Sequence, residues 1–494
     1  MKPFTIFLAL TRDSDAGELA PSLRKHPLVE SVVAIAVGPD VVPPDGAESI
    51  TADSFWSASL LRRVLDGWAT DYAILIQPSE RILWGARALE RLLHVAADSD
   101  AGIVYTDFRE DDAGGIADRP LIDYQTGSIR DDFNFGAAFL MSRKTVSGAL
   151  SRFGGAPAHL AWGALYDLRL KIAAAGKIVH LPEPLYTRVK GEERATGERI
   201  FDYVEPSRRA FQIEMEEIAT EHLKRIGAFL EPSFRTVPVS GESFPVTASV
   251  IIPVRDRAST IGQAVESALS QEAAVSFNVI VVDNHSKDGT SEKLTQLASE
   301  HPRLVHLRPS RRDLGIGGCW NEAIYSTYCG KYAVQLDSDD LYADRNSLSD
   351  IIGALSEANY AMVVGSYTTV NFDLGELPPG LVDHREWTRE NGRNNALRIN
   401  GLGAPRAFNV GVLRSIGFPN VSYGEDYAVA LRISRDYEIG RLYKSVYLAR
   451  RWTGNSDSAL PVPVMNRYDS YKDWVRTQEI AIRQRMNQKS EVEL

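Results

Sequence analysis

Short apolar segments alternate with helix-patterned segments along most of this chain. Residues 5–10, 29–37 and 72–76 are apolar runs typical of buried strands, and residues 54–68 place their leucines and valine on one helical face. Strands and helices that alternate at this pace form a mostly parallel sheet covered by helices on both faces. The sequence therefore predicts an α/β fold.

The alternating pattern occurs twice. It restarts after residues 232–245, a polar stretch with Pro and Gly that is typical of a linker. Residues 72–80 can be laid over 332–340 without a gap, and residues 163–172 over 424–433. In the first place the first copy keeps the apolar strand and lacks counterparts of Asp337 and Asp339. In the second place it keeps the helix and lacks counterparts of Glu425 and Asp426. This loss of acids indicates a structural or recognition role for the first copy.

The repeat predicts two tandem Rossmann-type domains, of which the second is catalytic. The expected boundaries are a non-catalytic domain at 1–235, a linker at 236–246, a catalytic domain at 247–465 and a helical extension at 466–494. The alternative is that the repeat is a coincidence between two unrelated α/β domains.

The strand-like run that begins at Tyr332 ends in Asp337, Asp339 and Asp340. Open α/β sheets bind ligands beyond the carboxyl ends of their strands, so these acids stand where a ligand is expected. Two carboxylates on a D-x-D spacing suit Mg²⁺ or Mn²⁺, which also takes oxygens from a diphosphate. The alternative is a solvated acidic turn, because Asp and Ser are common turn residues.

Composition narrows the class of partner. A formal net charge of −10 over 494 residues argues against a nucleic-acid partner. Cys319 and Cys329 are the two cysteines of the chain and offer no disulfide framework, which favours a reduced compartment. No apolar run approaches the roughly 20 residues of a transmembrane helix, and no secretion signal is evident at the N-terminus. We expect a cytoplasmic protein, with a peripheral position at the inner face of the membrane as an option.

Five features of the C-terminal half follow one another in order. They are the strand end at 250–256, the acidic turn at 281–290, residues 313–315 with Asn321, the acids at 337–340, and Gly424-Glu425-Asp426. Together they resemble the family 2 glycosyltransferases of the GT-A fold, over residues 247–457. The N-terminal half resembles a degenerate copy of the same fold.

The resemblance implies a binding site for a nucleotide-sugar donor. Pro253 and Arg255, followed by Asp256, match positions that line the uracil and ribose in the family. Asp283 matches a residue that contacts the base or ribose. The implied donor is a UDP-sugar.

The resemblance also implies a metal site and a base. Asp337 matches the aspartate near the ribose and a metal-bound water, and Asp339 matches the direct ligand of Mn²⁺ or Mg²⁺. Asp426, beside Glu425, matches the general base of the inverting members. The alternative for Asp426 is a first-turn acid that is favoured by the helix dipole alone.

Two positions depart from the family pattern. Trp320 precedes Asn321 where an Arg is frequent, and Trp452 stands where many members place a metal-binding His. The pair Arg451-Trp452 also resembles the R-W of processive synthases, but Leu448 replaces their usual Gln or Arg. We therefore expect transfer of a single sugar, with Arg451 and Trp452 near the substrates.

The expected function is an inverting, divalent-metal-dependent transfer of a hexosyl or N-acetylhexosaminyl group from a UDP-sugar to a hydroxyl. The acceptor would be a glycan, a lipid-linked molecule or a peptide, and its contacts would lie in loops such as 373–406. The first domain would bind the acceptor, position the second domain or mediate self-association. The alternatives are a non-catalytic sugar- or protein-binding scaffold and a nucleotidyltransferase.

Overall fold

The computed structural model describes residues 2–10, 19–38, 41, 43, 48–52, 54–77, 81–112, 114–189, 209–239, 241–452, 455 and 460–492. The chain divides into two compact units. The first unit comprises Met1–Arg199, Ala210–Phe229 and Leu460–Leu494, and the second comprises Ile200–Arg209 and Leu230–Ala459. The first unit is thus assembled from separated stretches of the chain.

The first stretch of the chain contains strands and helices in alternation. The strands are β1 (Phe4–Leu10), β2 (Val29–Val37), β3 (Glu48–Ala52), β4 (Tyr72–Ile76), β5 (Arg81–Trp84), β6 (Ala101–Thr106), β7 (Phe108–Asp112), β8 (Gly115–Arg119), β9 (Ala138–Ser142), β10 (Lys177–Leu181) and β11 (Tyr186–Val189). The helices are α1 (Leu19–Arg24), α2 (Ala58–Asp66), α3 (Ala88–Ser99), α4 (Arg143–Phe153), α5 (Ala164–Ala175) and α6 (Arg209–Arg225).

The second unit continues the alternation. Its strands are β12 (Ala248–Val254), β13 (Phe277–Asp283), β14 (Leu304–Leu307), β15 (Tyr332–Gln335), β16 (Leu341–Tyr342), β17 (Met362–Val370), β18 (Glu376–Val382), β19 (Arg406–Asn409) and β20 (Ile439–Arg450). Its helices are α7 (Ile261–Leu269), α8 (Thr290–Glu300), α9 (Ile316–Ile324), α10 (Ser347–Glu357), α11 (Gly392–Asn395), α12 (Val410–Ile416) and α13 (Glu425–Asp436). The last helix, α14 (Val462–Val492), belongs to the first unit.

The central strands are apolar because both faces of each sheet are covered. Every residue of β1 is buried, and β13 is likewise buried along its whole length. Such strands read as continuous apolar runs rather than as alternating ones. The predicted α/β class, with mostly parallel sheets, is confirmed.

The main sheets of the two units have the same strand order and the same strand directions. Within the described residues, the first sheet runs β3-β2-β1-β4-β9-β6-β10 and the second runs β14-β13-β12-β15-β19-β17-β20, with β16 beyond and β18 beside β17. In both sheets the fifth strand of this order, β9 or β19, is antiparallel to its two neighbours. The repeat read from the sequence therefore has a counterpart in topology. Residues 78–80 of the sequence overlay lie outside the described residues.

Helix α14 packs on the first unit through polar contacts. The Ser128 hydroxyl donates to the Asp473 carboxylate at 2.7 Å, and the Gly127 amide donates to the Thr477 hydroxyl at 2.8 Å. Arg476 and Asp473 are fully buried and form an ion pair at 2.7 Å. This helix thus completes the first unit.

Parallel strands bring the predicted donor-site residues to one edge of the second sheet. Strands β12, β13 and β15 pair in parallel, so their carboxyl ends face the same side. Arg255, Asp283 and Asp337 stand at or just beyond these ends. None of the described helices is long and apolar enough to cross a membrane.

Candidate functional site

Two intervening side chains connect Asp337 to Asp426. Gln335 donates through Nε2 to the Asp337 carboxylate at 2.9 Å, and its Oε1 accepts from both the backbone N and the Nε of Arg406 at 3.2 Å. Arg406 in turn forms an ion pair with Asp426 through its Nη1. Asp337, which was predicted to be near the metal, and Asp426, the predicted base, therefore belong to one hydrogen-bonded chain.

The electrostatic environment of Asp337 is set by burial and by neighbouring acids. Burial raises the pKa of Asp337, and the charges of Asp339 and Asp426 raise it further. The hydrogen bond from Gln335 and the charge of Arg406 oppose this rise without cancelling it. A cation that bound here would favour the ionised form of these carboxylates.

Asp340 is the most deeply buried acid of this turn, and it is held by hydrogen bonds. Its carboxylate accepts from the Arg450 backbone N at 2.7 Å and from the Tyr447 hydroxyl at 2.9 Å. The Tyr447 oxygen also accepts from the backbone N of Asp337 at 3.1 Å. Burial, followed by the charges of Asp337 and Asp339, raises the pKa of Asp340 well above its usual value. These bonds fix the path of the acidic turn.

Asp339 contacts the segment that follows β20. The indole Nε1–H of Trp452 donates to its Oδ2 at 3.1 Å, and Asn455 Nδ2 lies 3.5 Å from the same oxygen. The side chain of Arg450 donates to the backbone carbonyl of Asp339. A tryptophan N–H is only a donor, so Trp452 orients the carboxylate and cannot ligate a metal.

Asp426 and Glu425 open helix α13, after a glycine in the left-handed region. Gly424 has φ +81°, a conformation that other L residues rarely adopt. The Tyr427 amide donates to the Asp426 carboxylate at 2.7 Å, and Glu425 is buried. Acids in the first turn are favoured by the helix dipole, so this location fits both interpretations of Asp426.

The glycine-rich start of α9 packs closely on the segment that leads into α13. A Cβ on Gly317 would lie 1.9 Å from the Pro419 carbonyl oxygen, and one on Gly315 would lie 2.5 Å from the Val421 carbonyl carbon. The Gly317 amide donates to the Val421 carbonyl at 3.0 Å. These glycines thus permit the contact that positions Asp426.

Asp283 ends β13 as a buried, multiply bonded carboxylate. The Ser286 amide donates to it at 2.9 Å, the Ser291 hydroxyl donates to its other oxygen, and His306 Nε2 lies 3.3 Å from that oxygen. Burial alone would raise the pKa of Asp283, but the bonds from Ser291 and Ser286 outweigh it and the pKa is lowered. Asp283 is therefore held as an anion. The guanidinium Nε of Arg308 lies 3.8 Å from it.

The other predicted donor-site residues lie at the end of β12. Pro253 pairs with Val282 in the sheet, and the Asp256 carboxylate accepts from the Lys287 amide at 2.7 Å. Asp256 has φ +52°, and Arg255 is exposed with its Nε 3.8 Å from the Asp256 carboxylate. Arg255 and Asp256, of which Asp256 is in a left-handed conformation, thus form a bend after β12, beside the end of β13.

Arg451 and Trp452 follow β20. The Arg451 amide donates to the Val370 carbonyl at 2.8 Å. The ring of Phe372 meets Trp452 edge-on at 5.2 Å, and the Arg257 guanidinium lies 5.8 Å from the Trp452 ring. The structure therefore places Trp452 directly beside Asp339, whereas the backbone of Arg451 bonds to β17.

The donor set at the acidic turn fits a hard cation. Asp337 and Asp339 offer carboxylate oxygens, and Asp340 is occupied by Arg450 and Tyr447. No group of three or more His, Cys, Asp or Glu side chains with metal-binding geometry occurs within the described part of the chain. A cation bound by two carboxylates takes its remaining ligands from substrate oxygens and water, as Mg²⁺ commonly does.

Gln335 and Arg406 were not predicted as site residues. Gln335 is the last residue of β15 and precedes Asp337 by two residues, so a period of two was the signal available for it. Arg406 lies at the end of the loop that was expected to contact the acceptor, far from both acids in sequence. No local pattern identifies such a residue.

Comparison with known proteins identifies part of the second unit. Residues 249–416 match the family model described as Glycosyl transferase family 2. These residues form a family 2 glycosyltransferase domain. The match covers the turns that contain Asp283 and Asp339, and it ends before Asp426 and Trp452. The predicted family resemblance is confirmed.

Curated relatives of this chain match it over parts of their length. The O-antigen biosynthesis protein RfbC of Myxococcus xanthus is 28% identical over 44% of this chain and 17% of its own length. The succinoglycan biosynthesis protein ExoO of Rhizobium meliloti is 37% identical over 18% of this chain and 24% of its own. The dolichyl-phosphate beta-glucosyltransferase of Dictyostelium discoideum is 26% identical over 24% of this chain and 39% of its own length. The chain spans less than two fifths of each of these relatives.

Solved structures with some similarity include TarS of S. aureus in complex with UDP-GlcNAc. That chain is 21% identical, with 48% of this chain and 66% of its own covered and a TM-score of 0.39. Glucosyl-3-phosphoglycerate synthase of Mycobacterium tuberculosis is 20% identical, with 48% of this chain and 79% of its own covered and a TM-score of 0.34. These TM-scores are too low to establish a common fold for the whole chain.

Proposed function

We propose that the second unit is an inverting, divalent-metal-dependent glycosyltransferase that moves a sugar from a UDP-sugar to an acceptor hydroxyl. The observation that carries this proposal is the chain of contacts Asp337–Gln335–Arg406–Asp426. It links the acids suited to a metal with the carboxylate suited to accept a proton. A structural acid at a helix start would not need this connection.

The donor would be bound at the carboxyl ends of β12, β13 and β15. Asp283, held as an anion, would accept hydrogen bonds from the base or ribose of the nucleotide. Pro253, Arg255 and Asp256 would line the same part of the site. Asp337 and Asp339 would hold Mn²⁺ or Mg²⁺, which supplies Lewis-acid stabilisation of the leaving diphosphate when bound.

Asp426 would take the proton of the attacking hydroxyl. An alcohol is a poor nucleophile until a positioned base removes its proton in the transition state. The Arg406 guanidinium pairs with the Asp426 carboxylate and orients it, and Glu425 lies beside it at the same helix start. Attack from the side of Asp426, opposite the leaving diphosphate, would invert the configuration at the anomeric carbon.

The finer features of the substrates belong to the same proposal. The transferred group would be hexosyl or N-acetylhexosaminyl, and the acceptor a glycan, a lipid-linked molecule or a peptide. A cytoplasmic location is proposed from the low cysteine content, and the net charge of −10 argues against nucleic acid. The proposed catalytic domain is 247–465, of which residues 460–465 belong to the first compact unit. The proposed non-catalytic domain is 1–235, whose main sheet shares the strand order of the second.

The test is release of UDP from a panel of UDP-sugars with Mn²⁺ or Mg²⁺. Donor hydrolysis proceeds slowly without the acceptor, so the assay needs no acceptor. We expect one donor to be turned over, with at least about a 100-fold loss in Asp339→Asn. Glu357→Gln is a matched control because it neutralises an exposed acid of the same unit.

The Asp426→Asn variant tests whether Asp426 acts as the base or contributes to binding of UDP and metal. If Asp426 is the base, this variant binds UDP with metal as tightly as the wild type, as measured by calorimetry, and loses turnover. Equal turnover in wild type and Asp426→Asn would reject the assigned base. Absence of both turnover and metal-dependent UDP binding in the wild type would favour the scaffold alternative.

A further inference from the structure

The first unit contains a pocket where the second unit has its candidate site. The pocket has a volume of about 240 Å³. Its lining includes Trp56, Gln77, Phe139, Trp162, Leu165 and Arg169. All of these residues belong to the first unit.

Strand register identifies which lining residues replace the acids. Laying Tyr72 over Tyr332 places Gln77 on Asp337. Tyr72 pairs with Ser142, and Tyr332 pairs with Asn409. Phe139 precedes Ser142 by three residues, as Arg406 precedes Asn409, so Phe139 corresponds to Arg406.

Helices α5 and α13 have the same length and begin after a glycine, which places Leu165 on Asp426. Gln77, Phe139 and Leu165 all line the pocket. The first unit therefore has a concave site at this position, with uncharged side chains at the three positions where the second unit has Asp337, Arg406 and Asp426.

The lining favours an apolar ligand over a sugar. The aromatic and aliphatic residues far outnumber the polar ones, which are Gln77, Asp131 and Arg169. Arg169 is already engaged, because its Nη2 donates to the Arg130 carbonyl at 2.9 Å and its guanidinium lies 4.7 Å from the Tyr166 ring. A buried sugar would leave most of its hydroxyls without partners, which is costly.

The size of the pocket suits a hydrocarbon group. An apolar cavity of about 150 Å³ can hold a benzene molecule, and this pocket is larger. Met141 and Met215 add flexible, polarizable side chains that adapt to irregular apolar shapes.

Two tryptophans of the lining have features that packing alone does not require. Trp162 remains 42% exposed at the pocket. Trp56 has φ +63°, a conformation that is a genuine outlier for a bulky residue. Its carbonyl accepts from the Ala164 amide at 2.9 Å, so the strained residue is anchored to the start of α5. Strain of this kind is concentrated at functional sites.

We propose that this pocket binds the hydrocarbon part of a lipid-like small molecule. The first unit thereby has a binding role of its own at the position where the second unit has its acids. The inference does not depend on the proposed transferase activity.

The test is titration of the full chain with a brominated medium-chain fatty alcohol, read by quenching of tryptophan fluorescence. We expect saturable quenching, because Trp56 and Trp162 line the pocket. Leu165→Asp places a carboxylate in the apolar lining and should weaken binding by at least about tenfold. Ile213→Asp is the matched control, since Ile213 is 52% exposed and does not line the pocket.

A second variant, Leu165→Trp, fills the pocket without adding charge and should also abolish saturable quenching. Circular dichroism checks that each variant is folded. Quenching that does not saturate, or that is equal in the wild type and both Leu165 variants, would overturn the proposal. Competition by free N-acetylglucosamine would also overturn it, in favour of a carbohydrate site.

Discussion

The indole Nε1–H of Trp452 donates a hydrogen bond to Oδ2 of Asp339 across 3.1 Å. Trp452 stands where the family resemblance led us to expect a metal-binding histidine. Trp452 would therefore act on the metal indirectly, because it orients the Asp339 carboxylate that we propose as a ligand. This contact gives the first of four predictions.

Trp452→Phe keeps an aromatic ring beside Phe372 and removes the donor to Asp339. A lost hydrogen bond to a charged group is worth about 1.5–3 kcal/mol, so we expect roughly a 10-fold or greater loss of kcat/KM and a higher Mn²⁺ concentration at half-maximal activity. Steady-state kinetics at several metal concentrations would measure both. Trp474→Phe, at an exposed tryptophan of the first unit, should change neither.

Arg406→Gln removes the positive charge between Asp337 and Asp426. The charge of Arg406 lowers the pKa of Asp337, so its loss favours the protonated acid and raises that pKa. As the pH is lowered, activity that needs the ionised carboxylate should then begin to fall at a higher pH than in the wild type. The acidic limb of the kcat/KM profile should be shifted upward by about one pH unit. An unshifted profile would show that Arg406 does not influence the titrating group. Arg345→Gln, at an exposed ion pair, provides the comparison.

Mn²⁺ should stabilise the protein more strongly near neutral pH than at about pH 5. Burial and the charges of Asp339 and Asp426 raise the pKa of Asp337, so protons compete with the metal as the pH falls. At about ten times its dissociation constant the metal would add about 1.4 kcal/mol, or roughly 2–4 °C in melting temperature. Differential scanning fluorimetry would detect this. An equal shift in Asp339→Asn would place the metal elsewhere.

Gly127→Ala should destabilise the first unit. A Cβ at this position would lie 2.2 Å from the Asp473 carbonyl oxygen and 2.4 Å from the Thr477 nitrogen, so the backbone of α14 would have to move. We expect a loss of about 1–3 kcal/mol in the free energy of unfolding, measured by urea denaturation. Gly148→Ala lies within helix α4 with nothing near the added methyl group, and should stabilise by roughly 0.5–1 kcal/mol.

Local sequence patterns predicted the elements that they encode directly. The apolar run of β15 and the acids after it, the helix that begins at Glu425, and the repeated alternation of strands and helices could all be read from residue spacing. The family resemblance supplied roles for Asp339 and Asp426, and these roles stay predictions.

Contacts between distant segments could not be read in the same way. Arg406 meets Gln335 because β19 lies antiparallel to β15, and no local pattern reports that pairing. Helix α14 packs on the first unit with Asp473 and Arg476 buried, whereas an apolar face would have been the usual signal of a packed helix. Because its buried residues include charged ones, the sequence of α14 resembles that of a solvent-exposed helix.

The position of α14 also affects the order of events during protein synthesis. Domains generally fold as they emerge from the ribosome, with N-terminal domains first. Here all residues of the second unit have left the ribosome once Ala459 has emerged. At that point the first unit still lacks the helix that supplies Asp473 and Thr477. The half of the chain that is translated first is therefore completed last, and until α14 has been synthesised the Gly127 amide and the Ser128 hydroxyl lack the partners that this helix supplies.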